Sequence, residues 1–146
     1  MKKTLFFSIF ILVGLVFIIL NKIDTTENEN LYQEVKSLEE CYRILSDTLM
    51  IGLKYDDYKS VEEIIQKYKK NIPCLTSKMF LRVYFDDCLV RYVIKSESKM
   101  FSGHYYELLK FKKCSKDIED VVIGTVIEIE EINKDMVLVY SNQFLY

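Results

Sequence analysis

The sequence predicts an α+β domain in which two helices pack on a mainly antiparallel sheet of about five strands, preceded by an N-terminal transmembrane helix. Three observations support this prediction. An uncharged apolar run occupies residues 5–20, apolar residues then recur at helical spacing, and from Met79 onward they alternate with a period of two. Because the helical segments precede the strands instead of alternating with them, we expect helices segregated from an antiparallel sheet.

The N-terminal segment has the features of a signal anchor. Lys2 and Lys3 precede an apolar run from Leu5 to Leu20 that only Ser8 and Gly14 interrupt. As a helix this run is roughly 24 Å long at ~1.5 Å per residue, and extension to Ile23 brings it close to the ~30 Å hydrocarbon layer. Bulky residues occupy the positions where cleavage requires small ones, so we predict an uncleaved anchor, with a cleaved leader and a buried core helix as the alternatives.

Charge around the apolar run predicts the orientation of the chain. The lysines lie before it and acidic residues follow it, so the N-terminus is expected in the cytoplasm and the remainder outside the cell inner membrane. The predicted organisation is a transmembrane helix over residues 1–23, a polar linker over 24–30 and an extracytoplasmic domain over 31–146. If the leader is cleaved, the protein is secreted or periplasmic.

Net charge argues against nucleic-acid binding. The whole chain carries −2, and residues 1–23 contain three lysines and no acid, so residues 24–146 carry −5. Contacts with phosphates supply most nucleic-acid affinity, and an acidic domain without a lysine or arginine stripe is poorly suited to make them. The expected partners are a protein in the cell envelope and, through the N-terminal helix, the lipid bilayer.

Two helices are predicted next. Apolar residues spaced by four and three residues mark one face of a helix over residues 31–57, which could pack on its own domain or form a coiled coil. A shorter helix follows over residues 60–74. Ser60 and Glu63 form an S-x-x-E capping box at its start, and Pro73, which has no N–H, is expected to end it.

Five strands are predicted after the helices. In the first, Met79, Leu81, Val83 and Phe85 are expected on one face, and Asp86-Asp87 could form the following turn. The pattern predicts a pair of strands at residues 88–95 and 104–111, although the second segment also fits a helix. Residues 121–132 and 136–141 read as a hairpin around Asn133-Lys134-Asp135.

Four cysteines lie in the predicted extracytoplasmic part and favour disulfides. If strands 88–95 and 104–111 pair so that residue numbers sum to about 199, Cys88 lies near Cys114, which leaves Cys41 for Cys74. Free thiols remain the alternative if the domain is cytosolic. Metal or redox chemistry is the other alternative, but it usually uses closely spaced cysteines such as C-x-x-C, which this chain lacks.

No catalytic constellation is evident in the sequence. His104 is the only histidine, and beside Tyr105 and Tyr106 it fits a structural role better than acid–base catalysis. Glu128 and Glu130 share a strand face and are expected to face water. The sequence therefore predicts no enzyme, no cofactor and no metal site.

Tyrosines offer a candidate protein-binding surface. Amphipathic rings on an open sheet face are common at interfaces, although the same residues can simply fill a core. The candidate residues are Tyr84, Tyr92, Tyr105 and Tyr140. The leading hypothesis is a protein-binding module without catalysis, such as an immunity protein (an immunity-type inhibitor) or an accessory subunit of an envelope complex. The alternatives are a small-molecule, lipid or cell-wall-fragment binding protein and a small envelope hydrolase with a site at His104.

Overall fold

The computed structural model describes residues 13–16, 28–52, 60–85, 88–99, 102–112 and 117–144. The chain divides into two compact units, Met1–Ser37 and Leu38–Tyr146. In the first unit, residues 13–16 and 28–37 are helical. Most of the predicted segment 1–23, including Leu5 and Leu20, lies outside the described residues. Within the described ranges, no helix combines the length and apolar character needed to cross a membrane.

The second unit begins with two helices, α1 (Glu39–Gly52) and α2 (Val61–Tyr68). The predicted long helix is interrupted by a turn at Leu38, so α1 starts later than expected. The predicted apolar face is confirmed where it is most regular, because Tyr42, Leu45 and Leu49 are fully buried. Ser46, between them, is also buried.

The serine half of the predicted capping box at the start of α2 is confirmed. Ser60 has an extended backbone, and its hydroxyl accepts a hydrogen bond from the Glu63 N–H at 3.2 Å. Ile64 and Tyr68 face the interior. Residues 69–71 form turns after the helix. The Ile72 N–H donates a hydrogen bond to the Tyr68 carbonyl, so the helical hydrogen bonding stops before Pro73 as predicted.

Five antiparallel strands form one sheet in the order β1-β2-β3-β5-β4. They are β1 (Arg82–Phe85), β2 (Leu89–Lys99), β3 (Ser102–Phe111), β4 (Thr125–Asn133) and β5 (Met136–Phe144). The predicted α+β class, the strand at 104–111 and the β4–β5 hairpin are confirmed. Both β2 and β3 extend beyond the predicted strands into residues 96–103, which lie between them in the sequence.

Two details of the sheet differ from the prediction. The residue numbers of paired residues sum to 200 from Leu89–Phe111 to Val93–Glu107 rather than 199, so the register is shifted by one residue. The first strand starts at Arg82, and Leu81 was expected to share a face with Val83 but is 54% exposed, whereas Val83 is buried. The chain is irregular before Arg82, so the two-residue alternation does not reach back to Met79.

The register assigns side chains to two faces of the sheet, because directly paired residues point the same way. On one face, Tyr92 contacts α1, with 5.1 Å between the Tyr42 and Tyr92 ring centroids. On the other, Leu89, Leu109 and Val139 form a buried cluster. Residues 117–124, which include a short 3-10 helix (Ile118–Asp120), contribute Ile118, Val121 and Val122 to this cluster. We call these the helix face and the loop face.

Candidate functional site

The predicted disulfide between Cys41 and Cys74 is present, with 6.1 Å between the two Cα atoms. It joins α1 to the segment that follows α2. Cys88 is also disulfide-bonded, and its predicted partner Cys114 lies outside the described residues. The domain is thus braced by at least one covalent link across its helical layer.

The four candidate tyrosines do not form one surface. Tyr92 is fully buried on the helix face and belongs to the core. Tyr140 is half-buried on the same face, whereas the pairing of Tyr84 with Arg91 and of Tyr105 with Ser141 places both of these tyrosines on the loop face. The Tyr84 ring lies 4.4 Å from the Arg91 guanidinium carbon. Alternation along a strand could not reveal this division because it depends on which strand pairs with which.

His104 lies near the start of β3, at the end of the sheet where β2 finishes. Its ring is part of a row of hydrogen-bonded side chains on the helix face. Its Nε2 is 3.1 Å from Ser102 Oγ, and its Nδ1 is 2.6 Å from Tyr140 Oη. The Tyr140 ring stacks on both neighbours, with centroids 5.8 Å from His104 and 4.8 Å from Tyr106. Both ring nitrogens therefore have partners, as expected for a structural histidine.

This row also has the order of groups found in serine hydrolases, namely hydroxyl, imidazole and a third polar group. For Ser102 to lose its proton, Nε2 must accept from Oγ while Nδ1–H donates to Tyr140 Oη. The third group is then a neutral phenol, which stabilises an imidazolium less than a carboxylate does. The arrangement can orient the imidazole but is weaker as a catalytic base than a row that ends in aspartate.

A buried ionic contact joins β2 and β3 on the loop face. Glu107 has no exposed side-chain surface, and its Oε1 lies 3.7 Å from Arg91 Nε. Glu107 Oε2 accepts a hydrogen bond from the Ile123 N–H at 2.8 Å, while Arg91 donates to the Val121 carbonyl. Burial raises the pKa of the Glu107 carboxyl, and the Ile123 N–H and Arg91 act in the opposite direction. The contact holds residues 121–123 against the sheet.

Two half-exposed isoleucines lie on β4, which forms an edge of the sheet. Ile127 is 51% and Ile129 is 48% exposed. Ile129 pairs with Val139, so its side chain lies on the loop face. Glu128 and Glu131 on the same strand are exposed as well. We call Ile127 and Ile129 with these two acids the acidic surface.

A cleft of about 580 Å³ opens at the other end of β3, between α1 and the β4–β5 turn. Its lining residues are Asp47, Met50, Lys110, Phe111, Lys112, Lys134 and Asp135. We call it the lysine cleft. Lys110 is only 9% exposed, and its Nζ lies 3.4 Å from Asp135 Oδ2.

Glu128 and Glu130 were both expected to face water; Glu128 is exposed, whereas Glu130 is half-buried on β4. The predicted turn at Asp86-Asp87 lies outside the described residues. Within the described ranges, no group of three histidine, cysteine or acidic residues is placed to hold a metal ion.

Sequence reasoning missed Glu107 and Lys110, which are charged yet buried in β3. The sequence did carry a sign of both residues, because each is a charged residue that interrupts an otherwise apolar alternation in a central strand.

Comparison with known proteins adds no relative: no family model, no curated protein and no solved structure matches this chain.

Proposed function

We propose that this protein is a membrane-anchored, extracytoplasmic protein-binding module that acts without catalysis. The observation that carries the proposal is the acidic surface, in which two half-exposed isoleucines lie beside exposed carboxylates. Apolar side chains at the centre of a polar rim are the usual composition of a protein interface. An immunity-type inhibitor and an accessory subunit of an envelope complex are two concrete forms of this function.

The chemistry of this surface specifies the partner. The strand that carries it, β4, contains Glu128, Glu130 and Glu131 and no basic residue. A complementary protein presents lysine or arginine around an apolar pocket that receives Ile127 and Ile129. Such charge complementarity accelerates association and excludes acidic competitors, while the buried isoleucines supply most of the affinity.

Two features support a location outside the cytoplasm. The Cys41–Cys74 disulfide suits an oxidising compartment, and the apolar run from Leu5 to Leu20 suits a membrane anchor. A short polar segment, residues 24–30, follows the anchor in the sequence. The partner is then a protein within reach of the membrane surface.

The test is co-purification of the tagged full-length chain after cross-linking in its native cells. The double variant Ile127→Lys, Ile129→Lys is compared with Leu81→Lys, since Leu81 is equally exposed but precedes β1 at the opposite edge of the sheet. We expect one stoichiometric basic protein whose recovery falls about tenfold or more in the double variant and is unchanged in the control. Recovery that is equal in all three chains contradicts the proposal.

Membrane anchoring is tested separately by fractionation. The full-length chain should stay with membranes in alkaline carbonate, whereas a chain lacking residues 1–23 should be released. Release of the full-length chain at the mass of a cleaved product would instead support the leader.

One observation favours a second candidate function, hydrolysis. The hydrogen bonds from Ser102 to His104 and from His104 to Tyr140 provide a nucleophile, a base and an orienting group. A fluorophosphonate probe should then label Ser102, and His104→Gln should abolish the labelling. Absence of label on the folded wild-type chain counts against this candidate and leaves the binding function in place.

A further inference from the structure

We propose that the lysine cleft binds a small organic anion, in which a phosphate or carboxylate group is joined to a short apolar group. The cleft is formed by α1, the C-terminal end of β3 and the β4–β5 turn. Its volume of about 580 Å³ lies within the ~300–1,000 Å³ typical of small-molecule sites. It is lined by different residues from the acidic surface, so this inference is independent of the proposed function.

Lys110 provides the main argument for an anion. Its side chain is nearly buried, and among the described residues its ammonium has one partner, Asp135 Oδ2 at 3.4 Å. An ammonium group has three donors, and buried cations are normally paired closely because desolvation is costly. A single long hydrogen bond leaves donor capacity at the wall of the cleft. An anion bound there would use that capacity and compensate the buried charge.

The charges around Lys110 point the same way. Lys112 and Lys134 are exposed and line the same cleft, so three lysines line it against two aspartates, Asp47 and Asp135. Asp47 also lies 3.7 Å from the Arg43 guanidinium, which takes up part of its charge. The cleft is therefore locally positive within a domain of net charge −5, and long-range repulsion of an anion by the domain is offset at close range.

The non-polar walls define the other half of the ligand. Met50 and Phe111 line the cleft beside the lysines. Inorganic phosphate alone would fill only part of the volume and would leave these side chains in contact with water. A phosphate or carboxylate attached to a short alkyl or aromatic group places apolar surface against both residues.

The inference is tested by calorimetric titration of the full-length chain in a neutral detergent with hexyl phosphate, inorganic phosphate and hexanol. We expect hexyl phosphate to bind most tightly, because it alone satisfies both parts of the site. Lys110→Gln should weaken its binding about tenfold, the usual effect of losing one charge-assisted hydrogen bond. The double variant Lys112→Gln, Lys134→Gln should also weaken the binding of hexyl phosphate. The matched double variant Lys69→Gln, Lys70→Gln, at exposed lysines on the segment after α2, should not.

A second measurement uses the wild-type chain and does not depend on any variant folding. Hexyl phosphate should slow acetylation of Lys110, Lys112 and Lys134 by a water-soluble ester, while Lys69 and Lys70 in the same molecule react unchanged. Equal binding of hexanol, or uniform protection of all five lysines, would overturn the proposal. Failure here leaves the acidic surface and its protein partner unaffected.

Discussion

Arg91 Nε and Glu107 Oε1 lie 3.7 Å apart on neighbouring central strands, with the carboxyl fully buried. Each residue also holds the segment 121–123 against the sheet. Glu107 accepts a hydrogen bond from the Ile123 N–H, and Arg91 donates one to the Val121 carbonyl. The pair therefore fixes residues 121–123, which lead into β4 and the acidic surface. Oε1 itself has no hydrogen-bond donor among the described residues, so the carboxylate is incompletely compensated.

The first prediction concerns pH. Burial raises the pKa of Glu107 in the folded state, with the Ile123 N–H and Arg91 opposing it. The folded protein thus binds the proton more tightly than the unfolded chain. Stability from this group is complete below the unfolded pKa of about 4.3 and is lost as pH rises through the folded pKa.

Glu107→Gln tests this sign, because glutamine keeps an acceptor for the Ile123 N–H but cannot titrate. Urea midpoints measured from about pH 4 to about pH 8 should show that wild type loses stability relative to the variant as pH rises. If the urea midpoint of the wild type instead rises relative to that of the variant as pH increases over this range, the assignment is contradicted. Glu107→Ala also removes the acceptor and should cost about 1–3 kcal/mol.

The second prediction concerns the contact between α1 and the sheet. Ser46 Oγ donates to the Tyr42 carbonyl at 2.7 Å and lies 2.8 Å from Tyr92 Oη. A serine hydroxyl has one hydrogen, so Tyr92 must donate to Ser46. Ser46→Ala leaves a buried tyrosine O–H without a partner and should cost about 1–3 kcal/mol, more than the ~1 kcal/mol of Tyr92→Phe.

A double-mutant cycle gives the decisive measurement for this pair. In Ser46→Ala, Tyr92→Phe the stranded donor is gone, so the loss of unfolding free energy should be smaller than the sum of the two single losses. Strict additivity would show that the two hydroxyls do not interact.

The third prediction concerns the disulfide. Cys41 and Cys74 are 33 residues apart, and closing a loop of this size restricts the unfolded chain by about 3–4 kcal/mol on the loop-entropy model. Cys41→Ser, Cys74→Ser should lower the unfolding free energy by about that amount. Intact mass without reductant should be about 4 Da below the fully reduced value if both predicted bonds form, since each bond removes two hydrogens. An unchanged mass in exported protein would refute both bonds.

The fourth prediction concerns the start of β4. Gly124 has φ +83°, and a Cβ at this position would lie 2.1 Å from the Asn142 carbonyl oxygen. Gly124→Ala combines an unfavourable backbone conformation with a clash against backbone, and should cost more than about 2 kcal/mol. Gly103→Ala is the control, because its Cβ would meet only the outer atoms of the Tyr105 side chain, at 3.0–3.2 Å. Equal losses of unfolding free energy in the two variants would contradict this account.

Local patterns predicted the type and order of the elements well. Three features depend only on residues that are close in sequence, and such local patterns can be recognised in the sequence itself. They are the N-cap at Ser60, the strand at residues 104–111 and the hairpin turn before Met136. The pairing of Cys41 with Cys74 followed from a single assumed strand pair. A one-residue error in that register did not affect it, because a disulfide prediction needs only approximate proximity.

The sites depended on information that the sequence does not contain in local form. Tyr84 and Tyr92 both alternate with apolar neighbours, yet one is half-buried on the loop face and the other is fully buried beneath α1. Strand order and register decide which face each side chain takes, and these come from contacts between residues distant in the chain.

By itself, the sequence determined the α+β class, the segregation of helices from strands and the acidic character of the domain. These follow from composition and from hydrophobic periodicity, which act locally. Only the tertiary structure brought Lys110 of β3 to Asp135 of the β4–β5 turn, and Ile118 to the cluster beside Ile129. Burial in a particular place is what gives such residues their chemistry, and burial is a property of the assembled fold.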